Sequence, residues 1–150
     1  VRLPDFLDEH QPIRFILDSQ LKTKGNERIF NLSGESFVYT LMNNEKGETR
    51  QNLLFVNEKN GHVSLDDILI DLARKEFNEV LIEAGPNLNG AFLNQGLIDE
   101  IIIYLAPTIL GNSSRGMFEL PIFNELSESF HFYTESIDQF GTDLRVVLRR

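Results

Sequence analysis

Residues 79–111 read EVLIEAGPNLNGAFLNQGLIDEIIIYLAPTILG, and this stretch decides the fold class. Glu79 to Glu83 is a short apolar run closed by carboxylates, so a strand is expected over 79–83. Ala84-Gly85-Pro86 turns the chain into a helix expected over about 87–95, and Gly96 is its stop signal. Glu100 to Ala106 is the most apolar run of the chain. It lacks clean alternation, so a central strand buried on both faces is expected, ended by Pro107. Strand, glycine turn, helix, strand is the repeating unit of α/β architecture.

Working outward, the segments on either side extend this pattern. Arg14-Phe15-Ile16-Leu17, Ser36-Phe37-Val38-Tyr39-Thr40 and Leu53-Leu54-Phe55-Val56 read as strands, and Asn43 to Thr49 reads as a polar loop. Lys59-Asn60-Gly61 turns the chain. Ser64-Leu65-Asp66-Asp67 fits a helix-starting capping box, after which Leu65, Ile68, Leu69, Leu72 and Ala73 form one apolar face. Two late strands, 130–135 and 144–148, flank the turn-like Phe140-Gly141-Thr142-Asp143. The expected fold is one α/β domain over residues 1–150, with a mainly parallel sheet and an antiparallel hairpin at the C-terminal edge.

Composition narrows the function. The formal charge is −9, and no basic patch offsets it, so nucleic acid is not an expected partner. The absence of cysteine excludes a zinc-thiolate site and a cysteine nucleophile in this chain, and fits a reducing cytoplasm. No apolar run is long enough for a membrane helix, and residues 1–6 do not read as a signal peptide. His10, His62 and His131 lack metal-ligand spacing, so no metal is expected. Asp99 and Glu100 are neighbours on a strand and point to opposite faces, so they are not an acid/base pair.

The chemistry is expected at the glycine turn. Glu83 stands last on its strand, at the carboxyl end of a sheet, where open α/β folds bind ligands. Gly85 permits close approach of a ligand to the backbone, and the following helix aims free amides and a positive dipole end at the same place. Gly90 and Ala91 would admit a sheet or a cofactor against the helix. The same residues also fit an ordinary strand-turn-helix joint, with Glu83 facing solvent. The loop 112–116 borders a ligand or a subunit interface on one reading and is a plain surface loop on another.

This segment resembles the C-terminal reductase domain of bifunctional riboflavin-biosynthesis proteins, the RibD family, whose fold is similar to dihydrofolate reductase. Glu83, Ala84, Gly85, Leu88, Phe92, Leu93, Gly96, Leu97, Ile98, Asp99, Glu100, Tyr104, Leu105, Ala106, Pro107, Leu110 and Gly111 stand in register with the family pattern. Pro12 to Ser19 resembles its P-x-R strand, residues 140–145 its closing hairpin, and Val1-Arg2 the end of its L-T-V-R segment.

The resemblance implies a dihydrofolate-reductase-like three-layer sandwich that uses NADPH to reduce the ribose of 5-amino-6-(5-phosphoribosylamino)uracil. It assigns the pyrimidine to Glu83 and the substrate phosphate to Arg2. It assigns NADPH to Ser19, Gly85, Pro86, Asn87, Leu88, Asn89, Gly90 and Ala91. It names no general acid. It further implies a homodimer, and in many members an upstream zinc deaminase domain, whose cysteine ligands this sequence lacks. Family members carry roughly one more βαβ unit before the point matching Val1, so the domain is expected to be N-terminally incomplete. Two alternatives stand beside this reading. One is a related oxidoreductase acting on another pyrimidine or pterin, and the other is a non-catalytic binding or dimerisation portion.

Overall fold

The computed structural model describes residues 11–41 and 52–150. Arg2, His10 and the expected loop at 43–49 lie outside these residues. The chain divides into two compact units, one up to Glu79 and one from Val80.

The first unit is built on a parallel sheet of β1 (Arg14–Leu17), β2 (Ser36–Leu41) and β3 (Leu53–Val56), with β2 in the centre. Phe15 pairs with Phe37 and Val38 with Leu53, so β1 and β3 flank β2 in parallel. A central strand loses both edges to neighbours, and Val38, Tyr39 and Thr40 are accordingly 0% exposed. β4 (Glu58–Lys59) and β5 (His62–Val63) form a minimal hairpin. Its two-residue turn is Asn60-Gly61, with φ of 55° and 80°, as the twist of a tight hairpin requires.

α1 (Leu65–Arg74) follows at once. Ser64 caps it, its Oγ accepting the Asp67 amide at 3.2 Å. The reciprocal half of a capping box is replaced: the Ser64 amide donates to the Asn57 carbonyl, and the Asp67 carboxylate accepts the Asn57 side-chain amide. Leu65, Ile68 and Leu72 are the buried face of α1. Phe15 contacts Phe37, Tyr39 and Phe77, with ring centroids 5.4–5.7 Å apart. The buried Tyr39 hydroxyl donates to Asp71 on α1 at 2.5 Å, and Lys75 closes on the same carboxylate one turn later. This sheet-to-helix bond satisfies a hydroxyl that burial would otherwise leave costly.

The second unit contains α2 (Pro86–Asn94) and an antiparallel sheet of β6 (Glu100–Leu105), β7 (Tyr133–Phe140) and β8 (Asp143–Arg149), ordered β6-β8-β7. β7 and β8 form the expected C-terminal hairpin through Gly141, with a bulge at Glu135. Phe92, Leu93 and Val147 are the buried apolar residues of this unit. The α/β class, the parallel sheet and the antiparallel closing hairpin therefore agree with the sequence reading.

Two element assignments are corrected. Residues 79–83 are not a strand, because apolar content becomes a strand only when a neighbour completes the ladder, and these residues pair with none among those described. Val80 and Leu81 are exposed instead. β6 is not a central strand buried on both faces. Among the described residues it pairs with β8 alone, at the edge of its sheet, and Ile102, Tyr104 and Leu105 are exposed.

Candidate functional site

Glu83, Ala84, Gly85 and Asn87 are exposed, and they lead directly into the first turn of α2. Gly85 is the N-cap, with φ −80° and ψ 172°, and Pro86 takes the first helical position. Proline is at home there because that position's amide has no partner within a helix. The first amide held in the helix is that of Asn89, which donates to the Gly85 carbonyl at 3.0 Å. The amides of Gly85, Asn87 and Leu88 thus have no acceptor inside the helix, and they carry its positive dipole end. A Cβ placed on Gly85 would meet nothing within 4 Å, and its φ is one that any residue adopts. Neither the fold nor the backbone of this unit demands glycine at that position.

Gly90 differs. A Cβ there would lie 1.9 Å from the Glu119 carbonyl oxygen and 3.0 Å from its nitrogen. The segment 117–119 crosses the first turns of α2 as a strap. The Glu119 amide donates to the Pro86 carbonyl at 2.9 Å. The Asn89 side-chain amide donates to the carbonyls of both Met117 and Ala84, each at 3.2 Å. Close approach at Gly90 is therefore made by the chain's own backbone. Asn89 ties the glycine turn to the strap, an arrangement that spacing in the sequence could not reveal. The loop 112–116 precedes this strap. It is exposed and folds on itself, with Ser114 bonding the Gly111 carbonyl through both amide and hydroxyl.

Ser19 belongs to the first unit, on the loop leaving β1. Its Oγ accepts the Val63 amide at 3.0 Å. The preceding Asp18 is half-buried, and its carboxylate accepts the Thr23 amide at 2.7 Å. Burial alone would raise the Asp18 pKa, but hydrogen bonding from its own loop, Thr23 first, outweighs it and holds the carboxyl below its ordinary value. Asp71 behaves likewise: burial raises it, and hydrogen bonds from Lys75 and Tyr39 bring it down overall. Tyr39 is raised, first by burial and then by its bond to Asp71.

The sequence marks no role for Asp18, Tyr39 and Arg14, and it reads Asp71, like Asp66 and Asp67, simply as a helix-capping or solvated-face residue, whereas Asp71 accepts the buried Tyr39 hydroxyl. The Arg14 guanidinium donates to Ser36 Oγ and to the carbonyls of Leu32, Ser33 and Gly34, fixing the loop before β2. An arginine opening a strand was the available signal. Among the described residues, no group of His, Cys, Asp or Glu could hold a metal ion. Nor is any helix there long and apolar enough to cross a membrane.

A parallel sheet with a packed helix in the first unit, and a glycine turn, a helix and an antiparallel closing hairpin in the second, define the class: a mixed α/β protein. The pattern of the RibD C-terminal domain matches residues 1–146, and the chain belongs to that family. It is 35% identical over 135 residues to the riboflavin biosynthesis protein RibD of Escherichia coli, covering 89% of this chain and 37% of that protein. It is 32% identical over 146 residues to the 5-amino-6-(5-phosphoribosylamino)uracil reductase of Buchnera aphidicola from Acyrthosiphon pisum, covering 97% of this chain and 70% of that one. The structure superposes on RibD of Acinetobacter baumannii (form 2) with a TM-score of 0.78 and 30% identity, over 99% of this chain and 41% of that one. The chain thus spans well under half the length of the RibD proteins it matches. The fold is the dihydrofolate-reductase-like one of these structures.

Proposed function

We propose that this chain is the reductase domain, or most of it, of a riboflavin-pathway enzyme that reduces the ribose of 5-amino-6-(5-phosphoribosylamino)uracil with NADPH. The observation that carries the reading is Gly85. It is a glycine that neither φ nor packing requires, at the mouth of a helix whose first amides lack partners within the helix. A backbone left bare at such a place suits an approaching phosphate. Family membership and the reductase name of the Buchnera relative support the chemistry.

In this reading the Gly85–Ala91 segment binds the nucleotide. Gly85, Asn87 and Leu88 offer amides, and Asn89 and Gly90 hold the turn's shape through the strap. Pro86 and Ala91 present the small, stiff surface between them. Ser19 contacts the nucleotide, Glu83 accepts hydrogen bonds from the pyrimidine, and Arg2 pairs with the substrate phosphate. When bound, reduced nicotinamide supplies a hydride to C1′ of the ring-opened imine. A proton reaches the imine nitrogen from water or from the substrate's own phosphate. The protein's part is to hold two ligands in register. Residues 1–150 act as one domain in a cytoplasmic homodimer, and the greater length of the RibD relatives is consistent with a fused upstream domain. The exposed Ile102, Tyr104, Leu105, Ile137 and Phe140 of the antiparallel sheet favour the dimer.

Titration with NADPH and with NADH, followed by nucleotide fluorescence, tests the reading. Saturable binding that prefers NADPH, weakened at least tenfold by Gly85→Ala, is the expected result. Binding that is equal in wild type and Gly85→Ala would remove the glycine turn from the site.

A further inference from the structure

We infer that Asp18 is a positioning residue for the nucleotide: its carboxylate locks the loop 18–23 in the one conformation that holds Ser19 in place. The inference rests on the reading of Ser19 as a nucleotide contact. Three observations converge on it. First, the Asp18 carboxylate accepts the Thr23 amide at 2.7 Å, five positions along its own loop. A side chain that takes an amide of its own loop replaces solvent there and restrains that stretch of backbone. Second, the loop contains Leu21 at φ 50°, left-handed backbone that a non-glycine residue adopts only when its surroundings impose it. The Leu21 amide closes the turn on the Asp18 carbonyl at 3.2 Å. Third, the start of the loop is pinned at two neighbouring residues. The Asp18 amide extends the β1–β2 ladder to the Tyr39 carbonyl at 2.9 Å, and Ser19 Oγ is docked on the Val63 amide at 3.0 Å.

The loop leaves the carboxyl end of a parallel strand, where α/β sheets bind ligands. A strained, clamped loop is an unusual way to end a strand that needs only a connection. Glycine at position 21 would relieve the strain, and its absence argues that rigidity is the property kept. The clamp has a chemical consequence. The Thr23 amide, which could otherwise meet an anion, is taken here by the protein's own carboxylate. Binding at this loop must then come from side chains, with Ser19 first among them. Asp18 itself touches no ligand and acts through Ser19.

The test is a double-mutant cycle on the full-length protein, with NADPH as the probe. Dissociation constants are read by nicotinamide fluorescence for wild type, Asp18→Asn, Ser19→Ala and the double variant. Amide exchange is followed at residues 20–23 without ligand. Asp18→Asn is expected to weaken NADPH binding about tenfold and to abolish slow exchange at Thr23. The double variant is expected to bind no worse than Ser19→Ala, because the two residues act in series. Should Asp18→Asn fail to fold, Asp18→Glu keeps the charge, moves the carboxylate by one methylene, and is read the same way. Wild-type binding retained by Asp18→Asn, or losses that multiply in the double variant, would overturn the role of Asp18 and leave the cofactor reading standing. No NADPH binding by wild type would overturn the cofactor reading, and this inference with it.

Discussion

Replacing Gly90 by alanine adds one methyl group to a helix, a change that helix propensity alone favours by about 1 kcal/mol. The structure reverses that sign. The new Cβ would lie 1.9 Å from the Glu119 carbonyl oxygen, and ordinary contact begins at 3.4 Å, so the strap must retreat by about 1.5 Å. The obstacle is backbone, which cannot rotate aside as a side-chain tip would. Retreat breaks the Glu119–Pro86 hydrogen bond and the Asn89–Met117 bond. Each is worth about 1 kcal/mol, and overpacking adds about 1–3 kcal/mol. After the propensity gain, a net loss of about 2–4 kcal/mol is expected. With a urea slope of about 2 kcal/mol/M, the unfolding midpoint should fall by about 1–2 M. Circular dichroism in urea reads this directly. Gly85→Ala is the internal control. It lies five residues earlier, at the N-cap of the same helix, has nothing within 4 Å of its Cβ, and should shift stability by less than about 1 kcal/mol. A Gly90→Ala midpoint equal to or above wild type would refute the strap packing and the reasoning built on it.

Other expectations follow from the same geometry. Tyr39→Phe removes the buried hydroxyl but leaves Lys75 on Asp71, so it should cost about 1–2 kcal/mol in urea unfolding; no loss would mean that the hydroxyl bond adds nothing. Asp18 and Asp71 both have folded pKa values below their unfolded ones, so each stabilises fully above the unfolded value near ~3.9. That stability should drain as pH falls from about 4 through the folded values, and Asp71→Asn should flatten this acid limb. An unchanged acid limb in Asp71→Asn would dismiss its linkage. Glu83→Ala should weaken binding of the phosphoribosylamino-pyrimidine far more than that of NADPH, as measured by competition and by nucleotide fluorescence. Equal loss of both would count against a pyrimidine role.

Much was legible in the sequence because it was local. Ser64 before an apolar stripe, Asn60-Gly61 between short β runs, and Pro86 after Gly85 are neighbours along the chain, and a few dihedral preferences fix what they do. The density of matching residues from Glu83 to Gly111 was equally readable, and it placed the chain in its family. Periodicity failed where pairing partners decided the outcome. Residues 79–83 and β6 are both apolar runs, yet only β6 gained a ladder, and on one edge alone. An apolar composition states that a segment can be buried, whereas hydrogen-bond partners from distant segments decide whether it is.

The same division holds at the site. By itself, the sequence determined the α/β class, the glycine turn and the helix that follows it. Only the tertiary structure separated the two glycines of that helix. Gly90 is required by Glu119, twenty-nine positions on, and Gly85 by nothing in its own unit. Only tertiary structure, too, set Asp18 as the clamp of its loop and tied Tyr39 to Asp71 across 32 residues. Such contacts are distances between segments that no propensity encodes, because they exist only after long loops have closed and the backbone has come within a few ångströms of itself.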